Sequence, residues 1–235
     1  MRLLLIDTCG AEGSIAVVDT SAASPMMEMV VLGGRVASER LVPELRRIMG
    51  RCGWRVGDLA AVGVVAGPGS FTGVRVGVAA AKGLCEAGAV PLVMVSRLAV
   101  LAAKAAIGSG RVQALLDAGR GEIFYGRFGD EEEASLEALL TREAVLAAVA
   151  DGGRAVVCEE AVGSAFAEFD PVVVEPLRAV DALALVDGRV EVGAFDDVAT
   201  CDANYLRRTD LEVLGRLAQR ARSIQEAPGQ EATGP

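Results

Sequence analysis

Between residues 67 and 77 the chain places four glycines and a proline in one stretch, Gly67-Pro68-Gly69-Ser70-Phe71-Thr72-Gly73-Val74-Arg75-Val76-Gly77. The apolar run before it, 61–66, reads as a buried strand, and 79–84 after it reads as a helix packed closely on a neighbour. Phosphate-binding loops share this strand, turn and helix order, so the spacing decides between them. A Walker loop needs Gly-Lys after its first glycine and four residues, whereas Gly67 leads to Thr72-Gly73 and Gly69 to Val74-Arg75. A dinucleotide fingerprint starting at Gly67 would need its third glycine where Thr72 stands. Two readings remain for Gly67, Gly69, Ser70, Thr72 and Gly73. One is a structural turn whose missing Cβ atoms let another backbone approach; the other is an anion held at the helix start, and in either case Ser70 or Thr72 is a candidate cap.

The chain contains no histidine. That excludes Ser-His-Asp and Cys-His nucleophile systems, zinc-protease motifs and any imidazole general base. Its five cysteines, Cys9, Cys52, Cys85, Cys158 and Cys201, form no C-x-x-C pair, a scatter that fits buried thiols in a reducing compartment. Cys9 follows Asp7-Thr8 and invites a nucleophile reading. With no histidine to activate it, a small apolar turn residue is the simpler one.

At 235 residues and 52% hydrophobic, the chain can bury one large core or two linked lobes. No apolar run has membrane-spanning length, and a strand pattern begins at Leu3 without a charged and apolar leader, so a soluble cytoplasmic protein is expected. A net charge of −9 argues against a broad nucleic-acid footprint. The local exception is Arg207, Arg208, Arg216, Arg220 and Arg222, which read as a solvated helix face or, alternatively, as a contact for a partner or RNA.

Strands are expected at 3–7, 14–18 and 26–32, a helix after Ser38 with Leu41, Leu45, Ile48, Met49 and Cys52 at helical spacing, then a strand at 61–66, a helix over 74–87 and a strand at 90–95. After a helix at 96–107 the order begins again. Strand-like runs at 111–117 and 122–128 flank the turn Ala118-Gly119-Arg120-Gly121, with a helix at 143–150, a strand at 155–158 and a helix at 160–169. Two β-β-β-α-β-α lobes would set Asp7-Thr8 and Asp117-Ala118 in paired turns at a central cleft. The expected division is 1–100 for the first lobe, 101–204 for the second, a helix at 205–226 returning to the first lobe, and a disordered tail at 227–235.

Leu5-Ile6-Asp7-Thr8, Ser14-Ile15-Ala16-Val17, Ser38-Glu39-Arg40-Leu41-Val42-Pro43, the 67–77 stretch, Ala81-Lys82-Gly83-Leu84, Asp117 with Arg120-Gly121-Glu122, and Tyr205-Leu206-Arg207 occur in an order that resembles the bacterial TsaB (YeaZ) family. That family is a component of the machinery that makes threonylcarbamoyladenosine in tRNA. The resemblance implies an α/β, actin-like (ribonuclease H-like) fold of two lobes. It also implies a noncatalytic role, binding and activating a TsaD-type paralogue. That paralogue transfers a threonylcarbamoyl group from an adenylate to the adenosine beside the anticodon, in tRNAs reading codons that begin with A. A TsaE-type ATPase completes the complex, tRNA is met through the complex, and the chain alone forms a homodimer. No cofactor is expected to be tightly bound; ATP or ADP belongs to the assembled complex. Family members often carry serine and threonine where this chain has Cys9-Gly10, and arginine where it has Gly119, so the turns at the Asp7, Thr8 and Asp117 nucleotide cleft lose polar side chains.

The first two helices carry more apolar and small residues than one core face needs. Leu41, Leu45, Ile48 and Met49 form one stripe with Val42 and Cys52 at its edges, part of whose width would stay exposed in a monomer, and Val74, Gly77, Ala81 and Cys85 form a small-residue seam. Packing inside the lobe is one explanation. The resemblance implies another, a bundle of these helices with a paralogue or a second copy. Two other functions compete: a free-standing ATPase or kinase of the actin-like superfamily, which would use Asp7, Asp117 and Glu122 around a magnesium phosphate, and a peptidase, for which no histidine and no convincingly placed Ser-x-x-Lys pair exist.

Overall fold

The apolar run that opens the chain becomes β1 (Arg2–Asp7), the middle strand of a sheet covered on both faces, which is why its apolar residues run on without alternation. Outward on one side, β2 (Gly13–Asp19) and β3 (Met26–Leu32) pair antiparallel. On the other, β4 (Ala61–Val65) and β5 (Leu92–Val95) pair parallel. Parallel neighbours need crossovers, supplied by α1 (Ala37–Arg51), packed on β2 and β3, and α2 (Phe71–Gly88), packed on β1 and β4. The structure, a computed structural model, describes residues 1–21, 26–33, 37–106, 110–129 and 135–206. The arginines and tail expected beyond residue 206 lie outside the described residues, as does most of the expected 205–226 helix.

After α3 (Arg97–Lys104) the pattern repeats with β6 (Val112–Gly119), β7 (Glu122–Phe128), β8 (Leu136–Thr141), α4 (Arg142–Ala150), β9 (Arg154–Val157), α5 (Glu160–Ala165) and β10 (Val172–Val173). Sheet orders β3-β2-β1-β4-β5 and β8-β7-β6-β9-β10 are the same, antiparallel on one side of the first strand and parallel on the other. This is the actin-like, ribonuclease H-like α/β arrangement, two lobes of β-β-β-α-β-α pattern. Ser38 is no N-cap, since α1 already begins at Ala37; Ser70 does cap α2, its Oγ accepting from Gly73 N at 3.3 Å.

The two lobes exchange helices. α3 follows the first sheet but packs on β6 and β7, and α6 (Leu183–Glu191) follows the second sheet but packs on β4 and β5. Gly63 makes the second docking feasible. A Cβ there would lie 2.7 Å from Val186 Cγ2 and 2.8 Å from Leu5 Cδ2, so only a glycine lets α6 settle on β4. The chain then stays with the first lobe: Met94 N donates to Asp196 Oδ2 at 2.7 Å, Arg189 Nη1 to Met94 O at 2.9 Å, and Asn204 N to Ala66 O at 2.7 Å. The segment thus packs on the first sheet from α6 to Asp196, while Asn204 Nδ2 also donates to Glu137 Oε2 of β8 at 2.6 Å. Met1–Asn204 form one compact unit.

Candidate functional site

The glycine-rich stretch lies on the turn that follows β1. Gly67 holds φ at +104° before a cis bond to Pro68, and its carbonyl accepts from Arg97 N at 2.7 Å. A Cβ at Gly69 would overlap the Cys9 carbonyl, one at Gly73 the Thr8 carbonyl, and one at Gly77 the Thr8 hydroxyl. Left-handed backbone is thus required at Gly67, whereas Gly69 is needed for close approach alone. Hydrogen bonds close the same seam: Ser70 N donates to Cys9 O at 2.8 Å and Thr8 Oγ1 to Gly73 O at 2.6 Å. The Cys9 carbonyl and the Ser70 hydroxyl thereby take up amide donors at the start of α2, where an anion would otherwise find them. Thr72 is not the cap, standing inside α2.

At the cleft the two lobes carry the same turn. Asp7, ending β1, accepts from Cys9 N at 2.8 Å through Oδ1, and Asp117, near the end of β6, accepts from Gly119 N at 2.8 Å through Oδ1. Thr8 does not share the cleft with them, because its side chain is held under Gly73 and Gly77. Sequence reading missed two further members. Arg97 opens α3, is only 7% exposed, and brings its Nη2 against Gly10, where a Cβ would lie 2.9 Å away. Glu159, just before α5, accepts from Asp117 N at 2.8 Å. The one signal for Arg97 was a charge opening the apolar run Arg97-Leu98-Ala99-Val100-Leu101 directly after the cap Ser96.

Burial dominates the electrostatics here. It raises the carboxyls of Asp7 and Glu159, and the Arg97 charge opposes the rise in both. Cys9 is pushed well above the ordinary thiol range, first by burial and then by Asp7, and its Sγ donates to Val65 O at 3.1 Å. It is a neutral packed thiol and no nucleophile at neutral pH. A magnesium nucleotide needs accessible carboxylate oxygens and a positive ion between them. Asp7, 2% exposed, offers no such oxygen, whereas Asp117 is exposed and accepts from its own turn through Oδ1 alone, so the pair does not make a two-carboxylate magnesium site.

Leu41, Leu45 and Ile48 of α1 and Val74, Gly77, Ala81 and Cys85 of α2 are all buried within the protomer. Those seven residues form the layer that fastens the two helices to the first sheet, and of the stripe's edges Val42 stands exposed and Cys52 half-buried. What the same helices expose is Val42 at 51% and Phe71 at 52%, the latter beneath the Arg75 guanidinium 3.5 Å from its ring centroid. On another face of α1, Arg40 and Arg47 pair with Glu44 at 3.1 and 2.6 Å. Among the described residues no helix is long and apolar enough to cross a membrane.

The family model described as tRNA N6-adenosine threonylcarbamoyltransferase (TsaD) matches residues 32–171. To the tRNA threonylcarbamoyladenosine biosynthesis protein TsaB of Escherichia coli the chain is 32% identical over 154 residues, 61% of this chain and 65% of that protein. To the protein of the same name from Bacillus subtilis it is 34% identical over 130 residues, 54% of this chain and 55% of that one. The matches thus span only 55% to 65% of the length of these curated relatives. A crystal structure from Pseudomonas aeruginosa, of an uncharacterized protein with similarity to the peptidase YEAZ, superposes with a TM-score of 0.72 at 28% identity, over 88% of this chain and 99% of that one.

Proposed function

The chain belongs to the TsaB (YeaZ) family, within the group that the threonylcarbamoyltransferase model describes, and on that premise we propose that it is a noncatalytic subunit of the apparatus that makes threonylcarbamoyladenosine in tRNA. Its task in this reading is to bind and activate a TsaD-type transferase, with a TsaE-type ATPase completing the assembly and tRNA reached through the complex. Nucleotide, where it acts, is held by the other subunits. The observation that supports the noncatalytic half is Asp7, which is buried at the end of β1 and binds the Cys9 amide, so that only Asp117 of the two cleft acids is open to solvent. A transferase needs an organised electrophile site and a side chain placed for proton transfer, and the chain has no histidine to serve as one.

Docking falls to the exposed surfaces of α1 and α2, which carry Val42 and Phe71 as large apolar residues. The same surfaces serve a homodimer when the chain is alone, which makes the two assemblies mutually exclusive. Sedimentation of the full chain with and without a TsaD-type paralogue tests this: the paralogue should convert homodimer to heterodimer, and ATP turnover by the chain alone should stay at background. Magnesium-dependent ATP turnover by the chain alone, with no association, would replace this reading with a free-standing ATPase.

A further inference from the structure

We propose that Lys104 is the catch of a clasp between the lobes: while it holds Asp181 and the Pro176 carbonyl the lobes keep one angle, and once it lets go α3 carries the second lobe about the start of that helix. The chain passes from the first lobe to the second at 95–97 and returns at 174–183. Each crossing is fixed to the first lobe by its own hydrogen bond. At the first, Arg97 N donates to Gly67 O at 2.7 Å. At the second, Ala179 N donates to the buried Ser14 Oγ at 2.8 Å, and the 3-10 turn Ala179–Ala182 packs on β1, β2 and β4.

Lys104 joins the two crossings. It ends α3, about 10 Å along the helix from the pinned start. There its Nζ donates to Asp181 Oδ2 at 2.9 Å and to Pro176 O at 3.2 Å. Held at its start alone, α3 is free to swing with β6 and β7, on which it packs; held at both ends, it is not. The acceptor is prepared in advance, because Asp181 Oδ2 also takes Arg178 N at 2.6 Å and so stays in place with or without the lysine. Arg178 Nη2, 2.9 Å from Glu12 Oε2, keeps this crossing on the first lobe as well. The Lys104 and Asp181 side chains are 19% and 16% exposed, so parting them strands no charge in an apolar core. That is what lets the pair act as a catch, where a fully buried pair would open only with the fold. The inference rests on contacts within the chain and stands whether or not the proposed partner binds.

Pulsed electron paramagnetic resonance on the full chain tests it. Nitroxides go on Glu86→Cys of α2 and Ser164→Cys of α5, exposed positions on opposite lobes, with the half-buried thiols removed as Cys52→Ser and Cys201→Ser. Asn204, which reaches Glu137 of β8 from beyond α6, is left intact. With Lys104 in place one narrow interlobe distance is expected. Lys104→Met should add a second, displaced distance, Asp181→Asn should give the same one, and the double variant should go no further than either, since both cut one catch. Should Lys104→Met fail to fold by circular dichroism, Asp181→Asn carries the test, because its amide oxygen still accepts from Arg178 N. An unchanged narrow distance in the single variants would overturn the proposal. So would a broad distance with Lys104 and Asp181 both present, or a double variant that exceeds either single one.

Discussion

Asp7 sits where water cannot solvate its charge, and burial lifts its carboxyl above the ordinary 3.8 against the pull of Arg97 and the Cys9 amide. A carboxyl held above its unfolded value binds more protons in the fold than out of it. The stability it contributes is therefore fully present below 3.8 and is lost as pH rises through the raised folded value. Glu159 acts with the same sign from 4.5 upward. Asp7→Asn keeps an acceptor for Cys9 N and should flatten the fall of melting temperature as pH rises from 3.8, leaving the part due to Glu159. An unchanged slope in thermal melts across that range would contradict the assignment. At this scale the sequence was uneven as a guide. Glycine spacing exposed a close approach without saying to what, and the answer, the Thr8 and Cys9 carbonyls, arrives from a strand some sixty residues earlier. Arg97 and Glu159 gave almost no signal, because a charged residue beside an apolar run looks the same whether it is solvated or buried.

Among the elements, α1 and α2 show how a stripe can mislead. Apolar width alone does not tell core from interface, and Leu41 and Ala81, both readable as contact residues, are buried against their own lobe. Ala81→Asp should consequently lower the melting temperature sharply, an unpaired buried charge costing roughly 3–5 kcal/mol, where an exposed contact residue would have left a folded monomer. Val42→Glu, on the open flank, should keep the wild-type circular dichroism and melting temperature yet weaken association with the paralogue in sedimentation. The reverse pattern would place the interface on the buried stripe. Two elements escaped sequence reading for physical reasons. β8 is made of Leu136-Glu137-Ala138-Leu139-Leu140, residues of high helix propensity that become a strand only because the edge of β7 is there to pair with. α6 is short and weakly amphipathic, and its docking depends on the gap that Gly63 leaves in a distant strand.

Taken whole, the molecule is one pattern used twice, and that much was legible, because element order survives even where residues do not repeat. The doubling places Asp7 and Asp117 at equivalent strand ends with equivalent turns. What order could not reveal is the exchange of α3 and α6 between lobes, since a linear division assigns each helix to the strands nearest in sequence. A two-lobed frame that buries Asp7 and exposes Val42 and Phe71 on its outer helices suits the role proposed above. The direct test is the rate of threonylcarbamoyl transfer to tRNA by a purified TsaD-type paralogue and TsaE-type ATPase with the activated donor, measured with and without this chain. The account predicts no transfer by the chain alone and a rate that rises with its concentration to a one-to-one plateau. Transfer by the chain alone, or a paralogue rate indifferent to its presence, would contradict it.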